Sequence, residues 1–436
     1  MSVPTLARVL AIAATLWLVG CEKTDHDNID KWMRTDKGPG KLKKAFVDES
    51  IDPDLSAHAA VNLIRSQEEP HVRQTLEAIS PSRRTAVIGK MAERLWKNAR
   101  LEDQLKMPQG PQIQAKDALV MIRKWADDAQ KKQIDGYLID WYAVSSYEGR
   151  ANQGQASGAA VLRLVGPQAS KKMIAVLDSL IGAPGQDVKK NRIGDELMLA
   201  VAVTGSPEGV GHIIDVAKLD RGDETLAKRA TGVLYRAYVD PRGDFDIVDP
   251  APLAPNLDKI VELAKDDTQP GEVVNVALDL IRVTGSPQCF KPLMSMIGTP
   301  HKVGDFRYVV ANKALVCGGT KSIVEVVTAL PQQGAYDVAA VYGSIASEIA
   351  KMTPRDKVLA ALRELVVHKS TIAKWVAIEA FSIMKSEEDK PKIAQLSSNR
   401  EKLIGYHGEN PLNLTDPTLG ERAKELVAKF GNAAPK

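Results

Sequence analysis

The side chains with the most chemistry to offer are thinly spread along this chain. It holds 7 histidines, and no two of them stand four apart as a helix-borne metal pair requires. It also lacks a phosphate loop, a dinucleotide fingerprint and a nucleophile elbow. Four aspartates, Asp240, Asp244, Asp246 and Asp249, share a stretch at 240–256 whose prolines 241, 250, 252 and 255 exclude regular helix. Their oxygens could serve Ca²⁺, but the alternating ligands and fixed glycine of an EF-hand are missing. The stretch therefore reads as a solvated or partner-contacting loop, with Asp244, Phe245 and Asp246 as the candidate contacts. Arg221-Gly222-Asp223 and Arg242-Gly243-Asp244 spell an adhesion tripeptide, which three letters reach readily by chance. Cys289 and Cys317 fall in neighbouring helices and could pair in an exported protein; as small apolar residues on helical faces they are expected free and buried. On this reading there is no catalytic residue, no metal and no cofactor.

The third cysteine has a more specific setting. Arg8 supplies a short positive region, Val9 to Val19 is apolar apart from Thr15, and Leu18-Val19-Gly20-Cys21 follows. That run is too short to span a bilayer, which needs about 20 residues. The segment resembles the signal peptides of bacterial lipoproteins, whose lipobox has small residues before an invariant cysteine. The resemblance implies that residues 1–20 are removed and that the Cys21 thiol carries a diacylglyceryl group. Glu22, where inner-membrane retention in enteric bacteria is associated with aspartate, favours the outer membrane. From Cys21 to Ile29, where a first amphipathic turn begins, the chain reaches at most about 30 Å. The folded part is expected to lie close to its membrane.

The elements that must carry these residues are helices. Ala200 to Pro207 (AVAVTGSP) returns as Leu280 to Pro287 (LIRVTGSP). In each copy an apolar helix ends at Gly and Ser-Pro opens another. With the turn residue as zero, apolar residues recur at minus four, minus two and plus eight around Gly166, Gly205, Gly285, Gly318 and Lys385. The spacing predicts antiparallel helix pairs with stripes turned to a common layer, an all-α fold of α-solenoid type. Two further pairs fill the long gaps, Ala227–Tyr238 with Leu257–Leu263 and Val338–Ile349 with Lys357–Val366. The expected organisation is a leader at 1–20, a lipidated tether and first helices at 21–50, divergent helical repeats at 51–156, repeats at 157–400 with the insertion 240–256, and a capping segment at 401–436. Glu421, Arg422, Lys424 and Glu425 are expected on the polar outer face of that cap.

These pairs resemble HEAT repeats, and the chain as a whole resembles the HEAT-repeat lipoproteins of Gram-negative bacteria. The resemblance implies a curved superhelix whose second helices line a concave face. Some HEAT relatives are di-iron hydroxylases built on His-Glu dipeptides, and this chain has no such dipeptide. A net charge of only +3 argues against a polyanion groove, so nucleic acid is not an expected partner. Charges on the second helices are mixed: Lys171, Lys172 and Asp178; Glu208, Asp215 and Lys218; Lys321 and Glu325. A mixed surface suits a protein partner. The expected function is that of a monomeric, lipid-anchored, non-catalytic scaffold or adaptor in the cell envelope. The alternatives are an enzyme with dispersed acidic residues on the concave face and a cell-surface adhesion lipoprotein.

Overall fold

The computed structural model describes residues 23–100, 107–181, 193–219, 224–243, 245–285, 287–299, 301–302, 306–331, 338–403 and 416–431. Cys21, the leader and Asp244 lie outside them. Among the described residues the chain is all-α, with one isolated backbone bridge, between Lys402 and Thr418, and no strand. The helices gather into two compact units, 1–204 and 205–436.

The first unit runs α1 (His26–Trp32), α2 (Gly38–Val47), α3 (Pro53–Arg65), α4 (Glu69–Ala78), α5 (Pro81–Ala99) and α6 (Gly110–Ile122). It continues with α7 (Asp128–Tyr142), α8 (Tyr147–Arg150), α9 (Gly158–Val165), α10 (Ser170–Ile181) and α11 (Asp195–Val203). Side chains of Asp25, Asp52, Asp127 and Ser157 accept backbone N–H bonds at the starts of α1, α3, α7 and α9. Each such cap contributes about 1 kcal/mol. Packing follows a simple rule: α1 lies on α3, α3 on α5, α5 on α7, α7 on α9 and α9 on α11, while even-numbered helices flank this row. The row is apolar nearly all round. Every residue of α11 from Leu197 to Val203 is buried, and so is α3 from Ala59 to Ile64. The flanking helices bury one stripe instead, Val72, Thr75 and Leu76 in α4 and Ser170, Met173 and Leu177 in α10.

The second unit holds α12 (Pro207–Lys218), α13 (Glu224–Tyr238), α14 (Leu257–Lys265), α15 (Gly271–Val283), α16 (Phe290–Met294) and α17 (Phe306–Gly318). It ends with α18 (Ile323–Thr328), α19 (Val338–Lys351), α20 (Arg355–Leu365), α21 (Thr371–Ile383), α22 (Lys390–Gln395) and α23 (Leu419–Gly431). The same alternation holds, with α13, α15, α17, α19, α21 and α23 in contact next-but-one. Within each unit this is a solenoid-like arrangement. α21 buries Trp375 through Phe381 without a break. The charges nearest its core are matched. Asp389, fully buried, accepts from Arg363 at 2.8 and 3.0 Å, from Lys392 at 2.8 Å and from Ser386 at 2.9 Å.

The turn template is right at one apolar position and wrong at another. The minus-four residues Leu162, Val201, Ile281, Ala314 and Phe381 are all buried, but the minus-two residues Leu164, Val316 and Ile383 are 47%, 60% and 49% exposed. Positions two apart on a helix differ by about 200°, so they cannot share a face. At plus eight, Ile213, Leu293, Val326 and Ile393 are buried, whereas near Gly166 it is Met173 rather than Ile174. Gly166, Gly205 and Gly285 take positive φ, as does Lys385 at 50°; in the fourth turn it is Gly319, at 64°, rather than Gly318. At Lys385 the Ser386 N–H reaches Phe381 O at 3.1 Å and the Lys385 N–H reaches Ser382 O at 3.1 Å, the pairing that closes a helix end. The same pairing at Gln67, φ 64°, marks a turn of this kind in the first unit that the template did not find.

Three further expectations are corrected. The insertion 240–256 is not wholly irregular, because Ala251–Asn256 forms a 3-10 helix that buries Pro252, Leu253 and Asn256. Proline suits the tighter turn where it would not suit an α-helix interior. Arg422 does not sit on an outer polar face: its guanidinium grips Glu379 at 2.6 and 2.9 Å, while Glu421, Lys424 and Glu425 are exposed. Cys289 and Cys317, expected free, form a disulfide with Cα atoms 6.1 Å apart. Cys289 precedes α16 and Cys317 lies near the end of α17, and these two helices pack together.

Candidate functional site

A cavity of the first unit, about 740 Å³, opens where α5, α7 and α10 end or pass beside α8. Trp96 and Arg100 come from the end of α5, four apart and therefore on one side of it. Asp140 and Trp141 come from α7, Ser145 from the turn after it, and Lys172 from α10. Trp96 is held by the flat stack of its ring on Tyr137, 5.0 Å between centroids and 6° between planes. Tyr137 in turn accepts from Gln133 Nε2 at 2.8 Å. Tyr137 and Trp141, four apart on α7, thus split their work: Tyr137 packs on Trp96, and Trp141 forms cavity wall.

Behind that wall the charges are buried. Arg150, 3% exposed, donates from an Nη to Trp141 O at 2.7 Å and lies 5.2 Å over the Trp141 ring. Burial holds its pKa below the usual guanidinium value. Lys116 is fully buried, with Nζ 5.5 Å from the same ring, 2.5 Å from Asp117 and 2.9 Å from Gln153 O. Trp141 Nε1 is buried and meets no acceptor among the described residues, and neither do the hydroxyls of Tyr142 and Tyr147. Burial pushes both phenols far above the ordinary tyrosine range. Lys172 pairs with Asp140 at the rim. Among the described lining residues Arg100, Arg150 and Lys172 are cationic, Asp140 is a carboxylate, and Ser145 and Ser179 bring hydroxyls.

A second cluster joins α1, α3 and α5. His26 and Asp30 stand four apart on α1, and Asp54 and His58 stand four apart on α3. They engage crosswise: His58 Nε2 lies 2.9 Å from Asp30, His26 Nε2 lies 3.3 Å from Asp54, and the two Nδ1 atoms meet at 2.9 Å. Arg94 clamps Asp54 at 2.7 and 3.0 Å and holds its carboxyl below the ordinary range. Each outer nitrogen faces a carboxylate, and Arg94 Nη2 also lies 3.4 Å from His26 Nδ1. Burial lowers the His58 pKa; Asp30 opposes the shift, and Arg94 and His26 add to it. The two i, i+4 His/Asp pairs in opposite order were the sequence signal for this cluster, and a search for histidines paired with histidines misses it.

Glu148 is a carboxylate pushed above its usual value, chiefly by burial, with Glu196 and Asp195 adding and the Leu197 N–H opposing. Its work is structural. Gly194 is the N-cap of α11 and has no side chain, and Glu148 accepts the Leu197 N–H at 2.8 Å in its place.

Among the expected partner-contact residues, Phe245 is half-buried and Asp246 exposed; Asp244 is not among the described residues. Asp240 and Asp249 accept from Arg242 N at 3.1 Å and Ala251 N at 2.8 Å, so these two carboxylates brace their own loop. Charges on the even-numbered helices pair from one to the next. Lys259 of α14 meets Asp215 of α12 at 2.7 Å, Lys218 of α12 meets Glu262 of α14 at 3.1 Å, and Lys43 of α2 meets Glu68, the residue before α4, at 3.0 Å. Among the described residues no three or more His, Cys, Asp or Glu gather to hold a metal ion, and no helix is long and apolar enough to cross a membrane.

No known family profile matches the chain, and no curated protein does. Among solved structures, an engineered protein is similar at 15% identity over 90% of this chain and 99% of its own, with a TM-score of 0.27. Human deoxyhypusine hydroxylase in complex with glycerol is similar at 14% identity over 69% of this chain and 98% of its own, with a TM-score of 0.24. Neither likeness carries an argument about the chemistry of this chain.

Proposed function

We propose that the chain is a non-catalytic scaffold or adaptor of the bacterial envelope, built of HEAT-like helix pairs and fastened to a membrane by lipid on Cys21. The observation that carries the reading is the character of the flanking helices. They present broad faces whose lysines and carboxylates pair across neighbouring helices, leaving a surface of both signs. Exposed pairs of this kind add little stability and no net field, so a polyanion gains nothing from them, whereas a protein can match them point for point. The disulfide supports an exported location, where such bonds persist. The leader and its lipobox support the anchor. A leash of about 30 Å would keep the helices at the bilayer surface, within reach of another envelope protein.

The test has two arms. Cys21→Ser is expected to abolish labelling by a palmitate analogue and move the protein from the membrane to the soluble fraction; unchanged labelling removes the anchor. Affinity capture from detergent-solubilised envelope is expected to yield one dominant protein, lost when Lys218 and Lys259 are both changed to Glu. Capture of no dominant protein, or of one indifferent to that reversal, overturns the adaptor reading.

A further inference from the structure

We infer that the crosswise pair of His26 and His58 is an acid-sensitive latch that holds α1 on α3 and α5, and that acid releases α1 from the rest of the first unit. Release itself needs no lipid on Cys21; only its consequence for the tether rests on the anchored reading. The placement of donors and acceptors carries the inference. His58 Nε2 and His26 Nε2 face Asp30 and Asp54, and a neutral ring with its proton on Nε2 already gives each carboxylate a donor. The two Nδ1 atoms are 2.9 Å apart, and Arg94 Nη2 lies 3.4 Å from that of His26. This contact has room for one proton at most. A proton on both Nδ1 atoms would set two N–H groups head to head beside the Arg94 donor, with nothing between them to accept. The closed cluster therefore excludes the state in which both rings are charged. Once α1 leaves, each ring meets water and titrates as an ordinary histidine does, near 6.5. Well below that pH, opening takes up at least one proton, so acid drives it.

The surrounding charges reinforce the effect. Burial holds His58 below its usual value; Asp30 opposes, and Arg94 and His26 add to the lowering. Arg65 of α3 acts on Asp30, and Lys90 of α5 acts on Asp54 beside Arg94, so the flanks add positive charge that disfavours more. The His26 side chain is 48% exposed, so protons reach the pair without prior opening. Little else secures the element. α1 has 7 residues, of which Ile29 and Trp32 are buried, and Asn62 adds bonds to Ile29 O at 3.4 Å and to Asp30 at 3.1 Å. A helix that short does not persist alone. From Cys21 to Gly38, where α2 begins, an extended chain spans about 60 Å. Acid would thus double the reach of a lipid-anchored chain from its membrane.

Hydrogen exchange by mass spectrometry on the full chain tests this at pH 7 and pH 5, after correction for the intrinsic pH dependence of amide exchange. One proton per opening corresponds to about tenfold per pH unit well below the histidine range, so protection in a peptide covering α1 is expected to fall roughly tenfold or more between the two conditions. A peptide covering α7 is expected to change little. His26→Gln with His58→Gln keeps a side-chain N–H for each carboxylate and removes both titrating rings. That double variant is expected to keep α1 protected at pH 7 and to lose the fall at pH 5. Equal protection of α1 at the two pH values overturns the inference, as does a fall shared equally by α7 or one that persists in the double variant. The parent comparison needs no substitution and decides by itself should the variant fail to fold. Cys21→Ser is expected to leave the fall at pH 5 unchanged, so failure of the latch and failure of the anchor are read separately.

Discussion

Reduction of the Cys289–Cys317 bond gives the sharpest test of how the second unit is held together. The bond closes a loop of sequence separation 28. In the chain-entropy description, closing a loop of that length removes about 12 cal/mol/K from the unfolded chain, or about 3.6 kcal/mol at 25 °C. The location explains why the effect should be felt locally. α16 has only 5 residues and is followed by turns, so little helix secures this part of the row, and the disulfide ties its start to the end of α17. Cys289 is fully buried and Cys317 is 8% exposed, so reductant reaches the bond only through opening. Urea unfolding and hydrogen exchange by mass spectrometry would be run with and without dithiothreitol. Exchange in peptides covering α15 to α17 is expected to accelerate by up to roughly 400-fold on reduction, the factor equivalent to that free energy. Peptides of the first unit are expected to change little, because separate units need not unfold together. Equal exchange in both states would refute the entropic argument. Alkylation of both cysteines in unfolded, unreduced protein would refute the bond itself.

The remaining predictions concern charge and close packing. Burial would raise the Asp389 pKa, but hydrogen bonds from Arg363, Lys392 and Ser386 outweigh it and hold the carboxyl at about 2. A depressed carboxylate contributes stability above its unfolded value near 4, lost as pH falls through about 2; the amount is roughly 2 kcal/mol. Asp389→Asn should therefore unfold with a flatter dependence between pH 4 and pH 2; a curve parallel to the parent's sinks the assignment. For His58 the sign is reversed. Its folded pKa lies below the unfolded one, so the unfolded state takes up protons first and stability falls as pH drops below about 6.5. His58→Gln is expected to flatten that stretch in thermal melts between pH 5 and pH 7.5, and an unaltered slope counts against the crosswise network. Gly194→Ala would put a Cβ 1.7 Å from Glu148 Oε1, displacing the carboxylate that caps α11. A loss of about 1 kcal/mol or more is expected, and a variant as stable as the parent would show that the cap is dispensable.

Much of the fold was legible because helices announce themselves by period and punctuation. The pairs at 227–263 and 338–366 appear as α13 with α14 and α19 with α20, each with ends close to those expected. The all-α reading needed nothing more. The faces were harder. A stripe is visible in sequence only where one side is wet, as in α4 and α10. In α11 and α21 burial is continuous, so the alternation disappears and a position such as minus two looks apolar for different reasons in different helices. Val203 is buried there because its helix is covered on all sides, while Val316 at the matching position is 60% exposed. Identical letters at identical offsets can thus report different surroundings.

The site was harder to read than the fold, and the reason is geometric. Arg100, Trp141 and Lys172 lie far apart in the chain and meet only because α5 packs on α7 and α10 lies beside them. No spacing rule joins residues on three helices, and each of the three, taken alone, has an ordinary explanation as core aromatic or surface charge. Elsewhere the lysines of flanking helices meet carboxylates of the next, as Lys259 meets Asp215. Around this cavity Lys172 meets Asp140 in the same way, while Arg100, Arg150 and the Trp96 ring come from separate parts of the chain.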